Sequence, residues 1–106
     1  MIERATVAEL QTAMGSGNAR VIDVREFAEF QSGHVPGAVH IPMHTVPLRL
    51  ADIPSDGSVY VICESGSRSW QVAAFLLQRG ITAVDVQGGT GFWRMAGYPL
   101  ESEVAA

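Results

Sequence analysis

Three short runs limit what this chain can fold into: residues 20–24, 59–62 and 82–86 are compact, rich in valine and isoleucine, and each precedes a stretch with helical spacing. Nearly continuous apolar strands are buried on both faces, and strands that alternate with helices need crossover connections. The expected fold is therefore α/β, a small, mostly parallel β-sheet flanked by helices on both faces. Val59-Tyr60-Val61-Ile62 is the most apolar run and is assigned to the sheet centre. A chain of 106 residues, 47% hydrophobic and 17% charged, has the size of one unit with one core, so residues 1–106 are read as a single domain.

Local signals place the remaining elements. Thr6-Val7-Ala8-Glu9 has the form of a capping box, and Val7, Leu10 and Met14 keep helical spacing until Gly15 and Gly17. Phe27 and Phe30 are three apart, so a single helical turn is expected to lay both rings on the core. Val39-His40-Ile41 reads as a brief strand ended by Pro42, and Val46, Leu48 and Leu50 as a short helix before the Asp56-Gly57 turn. The helix-like stretch after the central strand runs from Trp70 to Gln78, with Val72, Ala73, Phe75, Leu76 and Leu77 as its apolar positions. Gly88-Gly89 ends the strand at 82–86, and a last helix with Phe92, Trp93 and Met95 ends near Gly97-Tyr98-Pro99. Trp70, Phe92 and Trp93 are expected to pack in the core.

Composition excludes several partner classes. The net charge is −4, lysine is absent and the arginines are scattered, so no basic patch is expected for nucleic acid. No apolar run approaches a membrane span, and Met1-Ile2-Glu3-Arg4 lacks the basic start and hydrophobic block of a signal peptide. A cytoplasmic protein with no membrane partner is expected. Cys63 is the single cysteine, which leaves neither an intrachain disulfide nor a cysteine-based zinc cage. Free cysteines are among the most buried residue types, so on composition alone the thiol is either inert filling or a reactive group.

Its position favours reactivity. Cys63 stands where the central strand breaks into Glu64-Ser65-Gly66-Ser67-Arg68-Ser69 before a helix. A strand that turns into a helix points several main-chain N–H groups and the positive end of the helix dipole at one spot, and the sulfur would sit there. Asp23 and Arg25 follow another strand end and can share the same edge of the sheet, as a supporting pair behind the cysteine.

With these residues in view, the chain resembles the rhodanese family of single-domain sulfurtransferases over almost its whole length. Three blocks carry the resemblance: Asp23-Val24-Arg25-Glu26 with Glu29-Phe30 and the segment from Gly33 through Pro42; the loop Cys63 to Arg68; and Gly88-Gly89 with Trp93 and Gly97-Tyr98-Pro99. The resemblance implies that Cys63 is the catalytic cysteine and that Glu64, Ser65, Gly66, Ser67 and Arg68 complete a six-residue substrate-binding and persulfide-binding loop. It further implies that the cysteine takes a sulfane sulfur from a donor such as thiosulfate or a persulfide, and passes it to cyanide or a thiol acceptor. No metal or organic cofactor is implied. Some members of the family serve as binding modules, so a sulfur-relay protein is a further possible partner. Thiosulfate-using members often carry basic residues in this loop, whereas Glu64 here argues against efficient use of thiosulfate.

The loop suits that chemistry. Gly66 lets the backbone curl, Ser65, Ser67 and Ser69 add hydroxyls, Arg68 supplies an anion-binding cation, and the amides of residues 64–68 are expected to converge on the sulfur. The role also requires a sulfur that a donor can reach. No general base is evident. A phosphatase or arsenate reductase of the related cysteine type holds five residues between Cys and Arg, against the four here. Pro36 and Pro42 break any helix that would align His34, His40 and His44 as metal ligands, so structural or solvent-facing histidines are expected. Gly88-Gly89-Thr90-Gly91 lacks the Lys-Ser/Thr ending of a phosphate loop and is read as turn glycines.

Overall fold

Valine and isoleucine at alternate strand positions feed two separate apolar layers, one on each face of a single sheet. The computed structural model describes residues 2–102, so residue 1 and residues 103–106 of the expected unit lie outside it. In chain order the elements are β1 (Glu3–Ala5), α1 (Val7–Gly15), β2 (Val21–Asp23), α2 (Phe27–Ser32) and β3 (Val39–His40). Two 3-10 helices follow, Met43–Leu48 and Leu50–Asp52, then β4 (Val59–Ile62), α3 (Ser67–Gln78), β5 (Ala83–Val86) and α4 (Gly89–Met95). The five strands among the described residues pair in the order β1-β5-β4-β2-β3, all parallel. The expected α/β architecture is present, and β4 is at its centre.

One layer joins Ile22, Val24, Val59, Val61 and Ala83 of the sheet to Val72, Ala73 and Leu76 of α3 and Val46 of the first 3-10 helix. The opposite layer joins Val21, Ile62 and Val86 to Leu10 of α1 and Trp93 of α4. Helices thus cover both faces, as parallel pairing requires. The capping box of α1 forms in full, with Thr6 Oγ1 accepting from the Glu9 amide and Glu9 Oε1 accepting from the Thr6 amide. Trp93 anchors the end of α4, donating from Nε1 to the Pro99 carbonyl at 2.7 Å and meeting Tyr98 edge to face. No helix among the described residues is long and apolar enough to cross a membrane.

Several local expectations differ from the structure. Phe30 is buried, but Phe27 is 60% exposed, because α2 lasts six residues and only one side of so short a helix meets the sheet. Trp70 and Phe92 are also exposed, which leaves Trp93 as the one ring of that trio in the core. Helix α3 begins at Ser67, three residues before the expected Trp70, so the loop feeds straight into it. Leu48 faces solvent because the segment is wound as 3-10 turns around Pro47. Strand β1, with alternation too short to read from three residues, is recognisable only from its pairing with β5.

The turn out of β5 positions α4 against the end of β4. Gly88 and Gly89 have φ of 77° and 59°, and a β-carbon on Gly89 would lie 2.3 Å from the Cys63 carbonyl oxygen. That close approach lets the Thr90 amide donate to Cys63 O at 2.8 Å and the Gly91 amide to Glu64 O at 2.9 Å. Gly89→Ala combines left-handed strain with a main-chain clash, and is expected to lower stability by at least ~1 kcal/mol. Denaturant unfolding checks this, and an unchanged midpoint would contradict the packing described.

Candidate active site

Strand alternation turns Val59, Val61 and then Cys63 toward α3, so the sulfur enters the α3 layer just where β4 ends. Gly66 holds φ at +112°, a left-handed conformation open to glycine, and this swings its N–H back onto Cys63 Sγ at 3.0 Å. Of the amides in residues 64–68, Gly66 is the donor that reaches the sulfur. The first N–H groups of α3 follow directly and have no carbonyl within the helix to bind.

The sulfur departs from the expectation that a donor can reach it: Cys63 is 1% exposed. Gly66 is buried above it while Ser65 and Ser67 face solvent, so the loop itself forms the cover. The cause is local. Two amides of α4 hold the carbonyls of Cys63 and Glu64, and the Gly66 amide folds the rest of the loop down onto Sγ.

Charge around the loop is arranged in carboxylate–guanidinium pairs. Arg25 is buried, and its Nε and Nη2 bind the carboxylate of the equally buried Asp23, with Nη2 also donating to Gly33 O at 2.8 Å. Its Nη1 reaches out to Glu64 Oε1 at 3.1 Å, and Glu64 Oε2 takes Arg94 Nη1 at 3.0 Å. Asp23 and Arg25 thus form a buried ion pair, and Glu64 ties it to the loop. Arg68 differs from the expected free anion-binding cation: its guanidinium grips Glu29 through two bonds of 2.8 and 3.0 Å. That fork holds the Glu29 carboxyl down at about 2, chiefly through the Arg68 hydrogen bonds, and raises Arg68 in turn.

Ser69 lies beneath the sulfur, within 3.3 Å of Cys63 Sγ, and donates its hydroxyl proton to Asp85 Oδ1 at 2.5 Å. Asp85 is fully buried in β5, with Arg4 of β1 at 3.2 Å from its other oxygen. Asp85, Glu29 and Arg94 bind Ser69, Arg68 and Glu64, and none of the three was among the site residues expected from sequence. The available signal for Asp85 was one carboxylate inside the apolar strand Ala83-Val84-Asp85-Val86.

The histidines are structural where they are buried. Phe30 stacks between His34 and His40, with ring centroids 3.7 and 4.4 Å away. His40 Nε2 donates to the Arg25 carbonyl at 2.7 Å and His34 Nδ1 to the Phe30 carbonyl at 2.8 Å, so this stack props the segment that carries Arg25. Among the described residues, no group of three or more His, Cys, Asp or Glu side chains could hold a metal ion.

A strand, a six-residue cysteine loop and a helix on a five-stranded parallel sheet agree with a family model described as the rhodanese-like domain, which matches residues 6–96. The chain belongs to the rhodanese family. Among similar proteins, a sulfurtransferase of Allochromatium vinosum is 40% identical over 81 residues, 76% of each chain. Thiosulfate sulfurtransferase GlpE of Pseudomonas savastanoi pv. phaseolicola is 36% identical over 95 residues, 89% of each. The crystal structure of a rhodanese-related protein from Thermoplasma volcanium superposes with a TM-score of 0.89 at 32% identity, covering 95% of this chain and 99% of that one.

The Glu29–Arg68 fork has a pH signature. A carboxyl moved from 4.5 to about 2 by its partner stabilises the fold fully above the ordinary carboxylate range, and this contribution is lost as pH falls toward 2. NMR titration of the Glu29 side chain is expected to give a midpoint near 2 that returns toward 4.5 in Arg68→Gln. A midpoint near 4.5 in the unaltered protein would mean the fork does not form in solution.

Proposed function

We propose that this rhodanese-like protein is a sulfurtransferase that carries sulfane sulfur on Cys63. The observation that carries the reading is the Gly66 amide on Cys63 Sγ at the mouth of α3, on the fold of relatives named sulfurtransferases. A main-chain N–H directed at the sulfur stabilises negative charge on it. The Cys63 thiolate attacks the outer sulfur of the donor, the donor's bond to that sulfur breaks, and the electron pair leaves with sulfite or a thiolate. The terminal sulfur of the resulting persulfide is anionic, and the first N–H groups of α3, which have no acceptor within the helix, support a role in holding it. An acceptor thiolate or cyanide then attacks that sulfur and releases Cys63. Because the resting thiol is covered, loading requires the loop around Ser65 and Gly66 to yield to the donor.

Charge pairing bears on which donor is used. Each arginine that borders the loop already faces a carboxylate: Arg25 with Asp23 and Glu64, Arg94 with Glu64, and Arg68 with Glu29. Thiosulfate carries its anionic oxygens directly beside the transferred sulfur and would compete with these carboxylates for the arginines, whereas glutathione persulfide carries its carboxylates several bonds away from that sulfur. A donor or acceptor carried on another protein is the second reading, and the half-exposed rings of Trp70 on α3 and Phe92 beside Gly88 favour it. A phosphatase or arsenate reductase is not supported, since four residues rather than five separate Cys63 from Arg68 and Arg68 is bound to Glu29.

Incubation with thiosulfate or glutathione persulfide is expected to leave one additional sulfur on the intact protein, and Cys63→Ser to abolish it. No mass change with either donor or with a protein persulfide would reject the reading. Glu64→Gln frees Arg25 and Arg94 from one carboxylate, and is expected to raise kcat/KM for thiosulfate about tenfold while changing glutathione persulfide little. Equal effects on both donors would show that Glu64 does not select by charge.

A further inference from the structure

Asp85 is a buried carboxylate that the sulfur chemistry above leaves unused. It faces three groups from the elements packed around it: Arg4 on β1, Ser69 on α3, and, through Ser69, Cys63 at the end of β4. Parallel pairing sets Asp85 opposite Val61, and Cys63 lies two residues further along on the same face. The three side chains thus form a line from sulfur to carboxylate beneath the loop.

Hydrogen-bond bookkeeping fixes the direction of that line. Ser69 has one hydroxyl proton, and three acceptors or candidate acceptors surround its oxygen: Asp85 Oδ1 at 2.5 Å, Gly66 O at 3.3 Å and Cys63 Sγ at 3.3 Å. The shortest contact is to an anion, which takes the proton. The Ser69 oxygen therefore presents a lone pair to Sγ, where it can accept from a thiol S–H but gives nothing to a thiolate.

We infer that Asp85 is a positioning residue that acts through Ser69 to keep Cys63 protonated while the site is at rest. With Asp85 ionised, the chain reads S–H to Ser69 O–H to carboxylate, and every proton is placed. Removing the S–H proton to solvent leaves two negative charges facing one hydroxyl, so thiol and carboxylate together favour holding one proton. Other charges act on the same thiol from further off: Arg68 on α3 attracts a thiolate, but its own charge is shared with Glu29. Gly66 favours the thiolate from above, and Asp85 opposes it from below. The covered thiol is in this way also held in its unreactive form at rest.

This inference rests on Cys63 as the reacting sulfur, but its test needs no sulfur donor. Cys63 is the single cysteine, so thiolate absorbance in the ultraviolet follows it directly across a pH titration. Asp85→Asn is expected to move the titration midpoint down by at least one pH unit, a tenfold rise in thiolate below the midpoint, and to speed iodoacetamide alkylation at neutral pH but not at high pH. Arg4→Gln, at a half-exposed edge position, strips Asp85 of its cation and is expected to move the midpoint the other way. A midpoint unmoved or raised in Asp85→Asn would overturn the inference, as would alkylation that quickens equally at every pH, which would report loop opening alone. If Asp85→Asn does not fold, a downward move in Arg4→Gln overturns it. Should the titration behave as expected while no donor loads the unaltered protein, the sulfurtransferase reading fails and the role of Asp85 stands.

Discussion

The buried guanidinium of Arg25 is the constraint on which the rest of this site depends. It is removed from solvent together with Asp23, and a charge in that position is tolerated only when its hydrogen bonds are met. Those bonds are met by three separate parts of the chain: Asp23 at the end of β2, the Gly33 carbonyl after α2, and Glu64 in the cysteine loop. Removing one partner of such a buried pair costs about 3–5 kcal/mol, so the pair fixes where β2, α2 and the loop stand relative to one another. The stacked rings of His34, Phe30 and His40 brace the same segment from the outside.

Around that anchor the loop is held from both ends and from below. Two amides of α4 take the carbonyls of Cys63 and Glu64, the Gly66 amide takes the sulfur, and Ser69 connects the sulfur to Asp85. One backbone donor, the Gly66 amide, thus favours negative charge on the sulfur, while each arginine beside the loop is paired with a carboxylate. Under the proposed function, a loop built this way favours a sulfur atom over a multiply charged anion, and Glu64 and Glu29 rather than the loop backbone make the distinction.

Much of this was legible in the sequence because it is written locally. Valine-rich runs marked β2, β4 and β5, the Thr6–Glu9 box marked the start of α1, and a lone cysteine before Gly66 marked the strand-to-helix turn. What was not legible depends on partners far apart in the chain. Arg68 meets Glu29 and Arg25 meets Glu64 across 39 residues each, and Arg4 meets Asp85 across 81. No local pattern distinguishes an arginine free to bind an anion from one already claimed. The burial of Cys63 escaped for the same reason, since it follows from α4 closing on the loop, and β1 escaped because an edge strand of Glu3, Arg4 and Ala5 carries almost no apolar signal.

The claim at the centre is that the loop over Cys63 is a cradle for a second sulfur atom. Crystals of the protein grown after loading with glutathione persulfide, with data collected for the anomalous signal of sulfur, test it most directly. A second sulfur bonded to Cys63 Sγ, lying inside residues 64–68 within hydrogen-bond distance of main-chain N–H groups, is the predicted result. A sulfur-loaded protein whose second sulfur lies outside the loop, or has no amide near it, would contradict the account.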